Sequence, residues 1–432
     1  MLPTLSRSVR SLRLSTLCLT AALLRAQCAP QFQPGDPVAS PYGYVAALSQ
    51  WDPDGPGPQP LSLLAGGNFR VGYDLTRLAA YDGSLWTPPP PPPGQVTKLT
   101  TFQGQLVATC VVANGVGVRA WDGSSWQDLG DVTGFVRAVA VYGNELVIGG
   151  LFSSVGGVPA ANVARWNGSQ WSPLGGGGAG DVLATAAISG SLDVGGSLTA
   201  AGAVPVSRLA VWNGATGTWA ATASFNGTVS ALAVRAGSSA ANSYLYVGGM
   251  FTQVGAVPAL RVARVDGIAP PQWQQVGAGL PGVACTALAV RGTGLTSHEV
   301  IAGLDDPNSE QRVFRFQSGA WSPLGAIPDE PGLQPRPHAF SYFQGRWVVG
   351  LESVNHGLLR FDNGAWRRVA GQGIDDRVHA VVADGEQLVL GGSFRTISGV
   401  AVNGVARGAP GAWSPLGGGV GGAADARVLA LA

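Results

Sequence analysis

The chain has 432 residues, 46% of them hydrophobic and only 12% charged, with 65 Gly, 30 Pro and 13 Trp. That balance excludes a disordered chain, which is poor in apolar residues and rich in charge; the glycines keep no three-residue period, which excludes a collagen-like rod. With a formal net charge of +1, scattered arginines and a single lysine, Lys98, the chain offers no basic surface for nucleic acid.

The N-terminus reads as an export signal. Arg7, Arg10 and Arg13 precede an apolar stretch from Leu14 to Leu24, and the small residues Ala26 and Ala29 follow, the order of a secretory peptide. Cleavage is expected after Ala26, giving a signal over 1–26 and a mature chain over 27–432. A lipid anchor on Cys28 is the alternative, although Gln27 stands where a small residue is expected. No later stretch reaches the roughly 18 uninterrupted apolar residues of a membrane helix, so the expected localisation is secreted or extracytoplasmic, in the periplasm or at the cell surface. Once Cys18 leaves with the signal, Cys28, Cys110 and Cys285 remain. Their odd number and wide spacing form neither a disulfide framework nor a zinc pattern. A single bridge stays open, with Cys110 and Cys285 read first as small buried apolar residues.

From Val45 onward a unit recurs about every 48 residues, a period that points to propeller blades rather than helical solenoids. Its clearest copies run from Val136 to Gly177 and from Val378 to Gly419. Other copies begin near Val45, Val96, Val182, Val229, Cys285 and Pro337. The unit opens with a V-x-A-x-A-V strand and turns into a second strand that, except in repeats two, six and seven, ends in Gly-Gly, at Gly66-Gly67, Gly149-Gly150, Gly195-Gly196, Gly248-Gly249 and Gly391-Gly392. There a side chain would obstruct the close approach of neighbouring backbone. The third strand, VARW in its clearest form, meets Asp-Gly or Asn-Gly at Asp82-Gly83, Asp122-Gly123, Asn167-Gly168, Asn213-Gly214 and Asp266-Gly267. These pairs predict a type I′ hairpin into the fourth strand. A tryptophan follows each hairpin, from Trp86 to Trp413, and one such plate per unit means packing rather than a binding cage. The expectation is an all-β chain: one β-propeller of eight blades, with seven as the alternative, each of about four antiparallel strands. The terminal stretch Arg427 to Ala432 resembles a first strand and is expected to clasp the first blade.

The wording L-Y-V-G-G-x-F … V-A-R-W-N-G … W-x-P-L-G resembles kelch-type repeats of the galactose-oxidase/kelch superfamily. It is similar to secreted bacterial kelch-like proteins and fungal cortical polarity-marker propellers. The resemblance covers nearly the whole mature chain and implies a fold, but it names no function, because such propellers host binding, scaffolding and several enzymes.

Candidates for chemistry are sparse. The second residue of strand one is His338 in one unit, His379 in the next and Arg137 in the third, so these three could line one mouth of a central channel. The same slot also holds Leu183, Ser230 and Thr286. No catalytic residues, metal ligands or cofactor follow from the sequence. Asp305-Asp306 and Asp375-Asp376 read as exposed acidic turns, the glycine-rich stretches near Gly175 and Gly417 as loops between blades, and Pro88 to Pro93 as a stiff outer loop. The expected function is therefore that of an exported, non-catalytic binding or structural module with an unidentified protein or glycan partner, acting as a monomer. A carbohydrate-active or oxidoreductase propeller enzyme is the alternative.

Overall fold

The V-x-A-x-A-V runs form the first strands of consecutive antiparallel sheets in the computed structural model, which describes residues 42–368 apart from short internal segments, and the backbone of strands between 378 and 415. No helix occurs among the described residues. The segment expected to be a signal, Cys28, Asp375-Asp376 and the expected clasp at 427–432 lie outside them.

Among the described residues the strands pair in successive antiparallel groups of four. Unit four is typical, pairing Val182–Ile188, Ser191–Gly196, Leu209–Asn213 and Thr218–Ala221 in that order. Units two and three share a sheet, because one strand, Trp126–Tyr142, ends the former and begins the latter. Second strands are buried along nearly their whole length, as in Leu192 to Gly196 and Leu245 to Gly249, since neighbouring units cover both faces. Each fully buried aliphatic or aromatic side chain there contributes on the order of 2 kcal/mol.

The first strands lie against one another in succession. Tyr42–Trp51 packs on Gln95–Phe102, which packs on Trp126–Tyr142, and the chain of contacts continues through Val182–Ile188, Val229–Arg235 and Ala284–Arg291 to Arg336–Phe343. Arg336–Phe343 and its partner Arg346–Glu352 in turn lie against Tyr42–Trp51. The seventh and first units therefore share a core in which Val45, Leu63 and Phe69 meet Phe343, Val348 and Leu358. Gln50 Nε2 donates to Tyr342 O at 2.6 Å, and Gln344 Nε2 to Asp82 O at 3.0 Å. The eighth unit forms its own four-stranded sheet from Val378–Asp384, Gln387–Gly392, Val405–Ala409 and Ala412–Pro415.

The tryptophans after the third strand tie units together as well as filling them. Trp171 Nε1 donates to Leu129 O at 2.5 Å, Trp219 to Gly175 O at 3.1 Å and Trp321 to Val276 O at 2.9 Å, each carbonyl belonging to the preceding unit or the segment leaving it. Trp126 reaches Pro90 O in the proline run at 2.8 Å. In these four the indole N–H is satisfied, whereas Trp366 Nε1 is buried with no partner among the described residues.

One expectation about turns needs correcting. The hairpins after Trp121 and Trp166 exist, but they are four-residue Asx turns, not type I′: Asp122 Oδ1 accepts from the Ser124 and Ser125 amides, Asn167 Oδ1 from those of Ser169 and Gln170, and of these two pairs only the glycine has positive φ, while at Asn213-Gly214 neither residue has it. Consecutive left-handed residues, which type I′ requires, occur between the third and fourth strands at Ser318-Gly319 and Asn363-Gly364, and between the first and second at Gln103-Gly104, Ser189-Gly190 and Gln344-Gly345. Units also carry a small extra hairpin between the second and third strands, as in Gln253–Val254 with Val257–Pro258. In unit four Gly178–Ala179, from the segment leaving unit three, extends this hairpin and stitches neighbours by backbone.

Candidate functional site

The glycine pairs and the slot of Arg137 belong to one local device. In every unit the ladder between strands one and two slips by one residue at the same place: between Val136 and Ala138, Val182 and Ala184, Val229 and Ala231, Pro337 and Ala339, and at the equivalent points of the rest. The extra residue is the one in the slot, namely Arg137, Leu183, Ser230, His338, His379 and their equivalents. A β-bulge re-aims a side chain out of the alternation of the strand. Where the second glycine is present the backbone comes close: a Cβ on Gly150 would run into the Phe135 carbonyl oxygen, and one on Gly249 into that of Thr228; the bulge also forms where Cys110, Leu304 or Leu351 takes that place. The first glycine of each pair faces the next unit instead, where a Cβ on Gly248 would stand 2.6 Å from Cys285 Sγ. Gly303, followed by Leu304, keeps this second role, with Pro337 as its neighbour.

The structure gives the three candidate residues different surroundings. Arg137, 44% exposed, directs Nε to Asp181 Oδ2 of the following unit at 2.7 Å, and its guanidinium stands 5.8 Å from the Phe135 ring centroid. Burial raises the Asp181 carboxyl above the ordinary range, with Arg137 opposing the shift. His338 is half-buried and meets Tyr44 of the first unit edge-on at 5.5 Å. His379 holds the bulge position of Val378–Asp384, and its side chain lies outside the described residues. A second ion pair joins Arg336 to Asp305 at 3.3 Å, which accounts for one of the acidic turns.

Around these bulges the end of the molecule where first strands begin and second strands end is unusually apolar. Phe135 is 60% exposed, Met250 50%, Leu151 47%, Val111 47% and Val283 46%. Large apolar side chains gathered at one end, with ion pairs among them, are the composition of a contact surface. Among the described residues, no three His, Cys, Asp or Glu side chains cluster closely enough to hold a metal ion.

Several polar residues escaped the sequence reading. Tyr246 OH and His298 Nε2 share a hydrogen bond of 2.6 Å in the interior, beside Tyr244, whose ring is approached by Arg235 and Arg264 at 4.9 and 5.1 Å. Asp193 is buried in a second strand, at a position that is Leu64, Val147 or Ile301 in other units. The residue before strand three, Asn162, Arg208 or Arg261, has positive φ, and its side chain bonds carbonyls around it. Asn162 Nδ2 reaches Gly178 O and Gly180 O at 2.9 and 3.0 Å, in the segment entering unit four. The only sequence signal for these clamps was a polar residue after each V-P-x-x run.

No family model matches the chain, and no curated protein matches it. Among solved structures, the chain is similar to a computationally designed protein, Ika8, at 17% identity and a TM-score of 0.45, over 87% of this chain and 99% of that one. It is also similar to the extracellular domain of a hybrid two-component system from B. thetaiotaomicron, at 12% identity and 0.46, over 86% of this chain and 46% of that one. U3-55K matches at 15% identity and 0.44, over 72% and 88%.

Proposed function

We propose that the chain is an exported, kelch-like β-propeller, closed by its first seven units, that acts as a non-catalytic binding module through the rim where the first strands begin. The observation that carries the binding role is the rim itself: a bulge at one position of every unit, with Phe135, Leu151 and Met250 exposed beside the Arg137–Asp181 pair. Closure by seven units, in place of the expected eight, is supported by the packing of the seventh unit on the first. It is supported also by the glycine contact of other junctions, as of Gly195 with Val229, recurring between Gly350 and Val45. Export is supported by the charged, apolar and small-residue order of the first 26 residues.

The partner chemistry that suits this rim is a glycan or an extended peptide offering both apolar faces and polar edges. The test is a glycan and peptide array screened with the purified protein and with a Phe135→Ser/Met250→Ser variant of equal melting temperature. Loss of at least about tenfold in binding by the variant, about 1.4 kcal/mol, is expected. Equal binding by the two proteins, or turnover of a bound glycan, overturns the reading.

A further inference from the structure

The turn between the third and fourth strands of unit seven, Leu358–Asp362 and Ala365–Arg368, holds an Asn-Gly pair in a setting unlike that of the others. Asparagine before glycine is the pair in which a backbone nitrogen most readily attacks the side-chain amide carbon, because glycine puts no side chain in the way and bends freely. Such pairs begin at Asn114, Asn167, Asn213, Asn226, Asn363 and Asn403; Asn114 and Asn403 lie outside the described residues.

Three of the remaining four are held away from that reaction. Asn167 Oδ1 accepts from the Ser169 amide, the Ser169 hydroxyl and the Gln170 amide, each at 2.9 Å. Asn226 Oδ1 accepts from the Thr252 and Gln253 amides at 2.9 and 3.1 Å, and its Nδ2 donates to Thr252 Oγ1 at 2.8 Å. Asn213 Oδ1 accepts from the Ala215 and Thr216 amides at 2.9 and 3.3 Å, and the nitrogen that would attack it, that of Gly214, donates to Tyr142 OH at 3.0 Å. A carboxamide bonded in this way must give up those bonds to turn its carbon toward the backbone.

Asn363 has none of these restraints. Its side chain is exposed and makes no hydrogen bond among the described residues, and the Gly364 amide donates to nothing among them. Both residues are left-handed, with φ of +50° and +82°, a conformation that costs a residue with a side chain energy. The space that a Cβ on Gly364 would enter is empty within 4 Å.

We infer that Asn363 is a site of spontaneous covalent modification, whose carboxamide is lost through a cyclic imide to leave aspartate and isoaspartate. The Gly364 nitrogen bonds to Asn363 Cγ, the bond from Cγ to Nδ2 breaks, and ammonia leaves with the proton that the Gly364 nitrogen gives up. Water then opens the imide: breaking the new bond gives aspartate, and breaking the original peptide bond gives isoaspartate. One water is consumed and one ammonia released, with no oxidant or reductant. Either product sets a new carboxylate beside Asp362, which already pairs with Arg346 at 2.6 Å and Arg360 at 3.1 Å. Isoaspartate also lengthens the backbone of the short turn that follows Phe361 and precedes Trp366, whose rings stand 5.3 Å apart. The site is independent of the rim and of the closure.

The full chain is incubated at pH 8 in its native state and, in parallel, in urea, and peptide mapping by mass spectrometry follows each pair. In the native protein Asn363 is expected to convert at least about tenfold faster than Asn167, Asn213 or Asn226, with the four drawing level in urea. Equal native rates, a slower Asn363, or a lead that persists undiminished in urea overturns the proposal.

Discussion

A side chain on Gly350 would come within 3.0 Å of Val45 Cγ1, although the two residues belong to the seventh and first units. Gly248 stands in the same way to Cys285, and Gly303 to Pro337. Gly350 has ordinary backbone angles, so a larger residue there suffers from crowding alone. Gly350→Leu should cost about 1 to 3 kcal/mol through overpacking, as Gly195→Leu should at the junction of units four and five. Chemical denaturation of the full chain compares them. A neutral Gly350→Leu beside a destabilised Gly195→Leu would show that the seventh and first units do not meet in solution.

Asp193 supplies a pH dependence. Burial among apolar neighbours raises its carboxyl from the ordinary 3.8 to about 7. The folded chain holds this proton more tightly than the unfolded chain does, so the stabilising contribution is fully present below about pH 4 and is lost as pH rises through 7. The full swing is on the order of 4 kcal/mol. Asp193→Val, which restores the aliphatic character of Val147, should raise the melting temperature clearly at pH 8 and much less at pH 5. A gain of the same size at both pH values would mean that the carboxyl titrates normally.

Asn162 combines a left-handed backbone, φ +66°, with an Oδ1 that accepts from the Phe152 amide and an Nδ2 that donates to two carbonyls. Asn162→Ala loses both features and should cost about 2 to 4 kcal/mol. Asn162→Gly keeps the backbone and loses only the bonds, so it should cost distinctly less. Equal losses in urea unfolding would leave the backbone geometry without an energetic role.

Cys110 and Cys285 are free and buried, and burial pushes both thiols up to about 12. At pH 8 neither should react with an alkylating reagent in the native protein, and both should react above the unfolding transition. Peptide mapping by mass spectrometry reads them separately from the N-terminal cysteines. Rapid native labelling of either would contradict its placement in the core.

The unit boundaries were legible because each rests on local chemistry. A second strand covered on both faces is a continuous apolar run, as Leu63 to Gly67 and Leu146 to Gly150 show. The slot of Arg137 and His338 was legible as a repeated position, yet nothing in the alternation announced a bulge, which appears only when both strands are paired. The turn type at Asp122-Gly123 was misread because the aspartate caps two amides with its side chain and needs no positive φ of its own. The meeting of Gly350 and Val45 is a long-range contact, which similar units in a row leave undetermined.

The strand Trp126–Tyr142 runs continuously from unit two into unit three, whereas a connecting segment separates each other pair of neighbours up to the seventh unit. A repeat protein ordinarily offers every junction as a place to cut, insert or re-join the chain. Here one junction offers none. New termini or a grafted domain would have to enter elsewhere, and thermal fraying that opens one of these two units would draw the other with it.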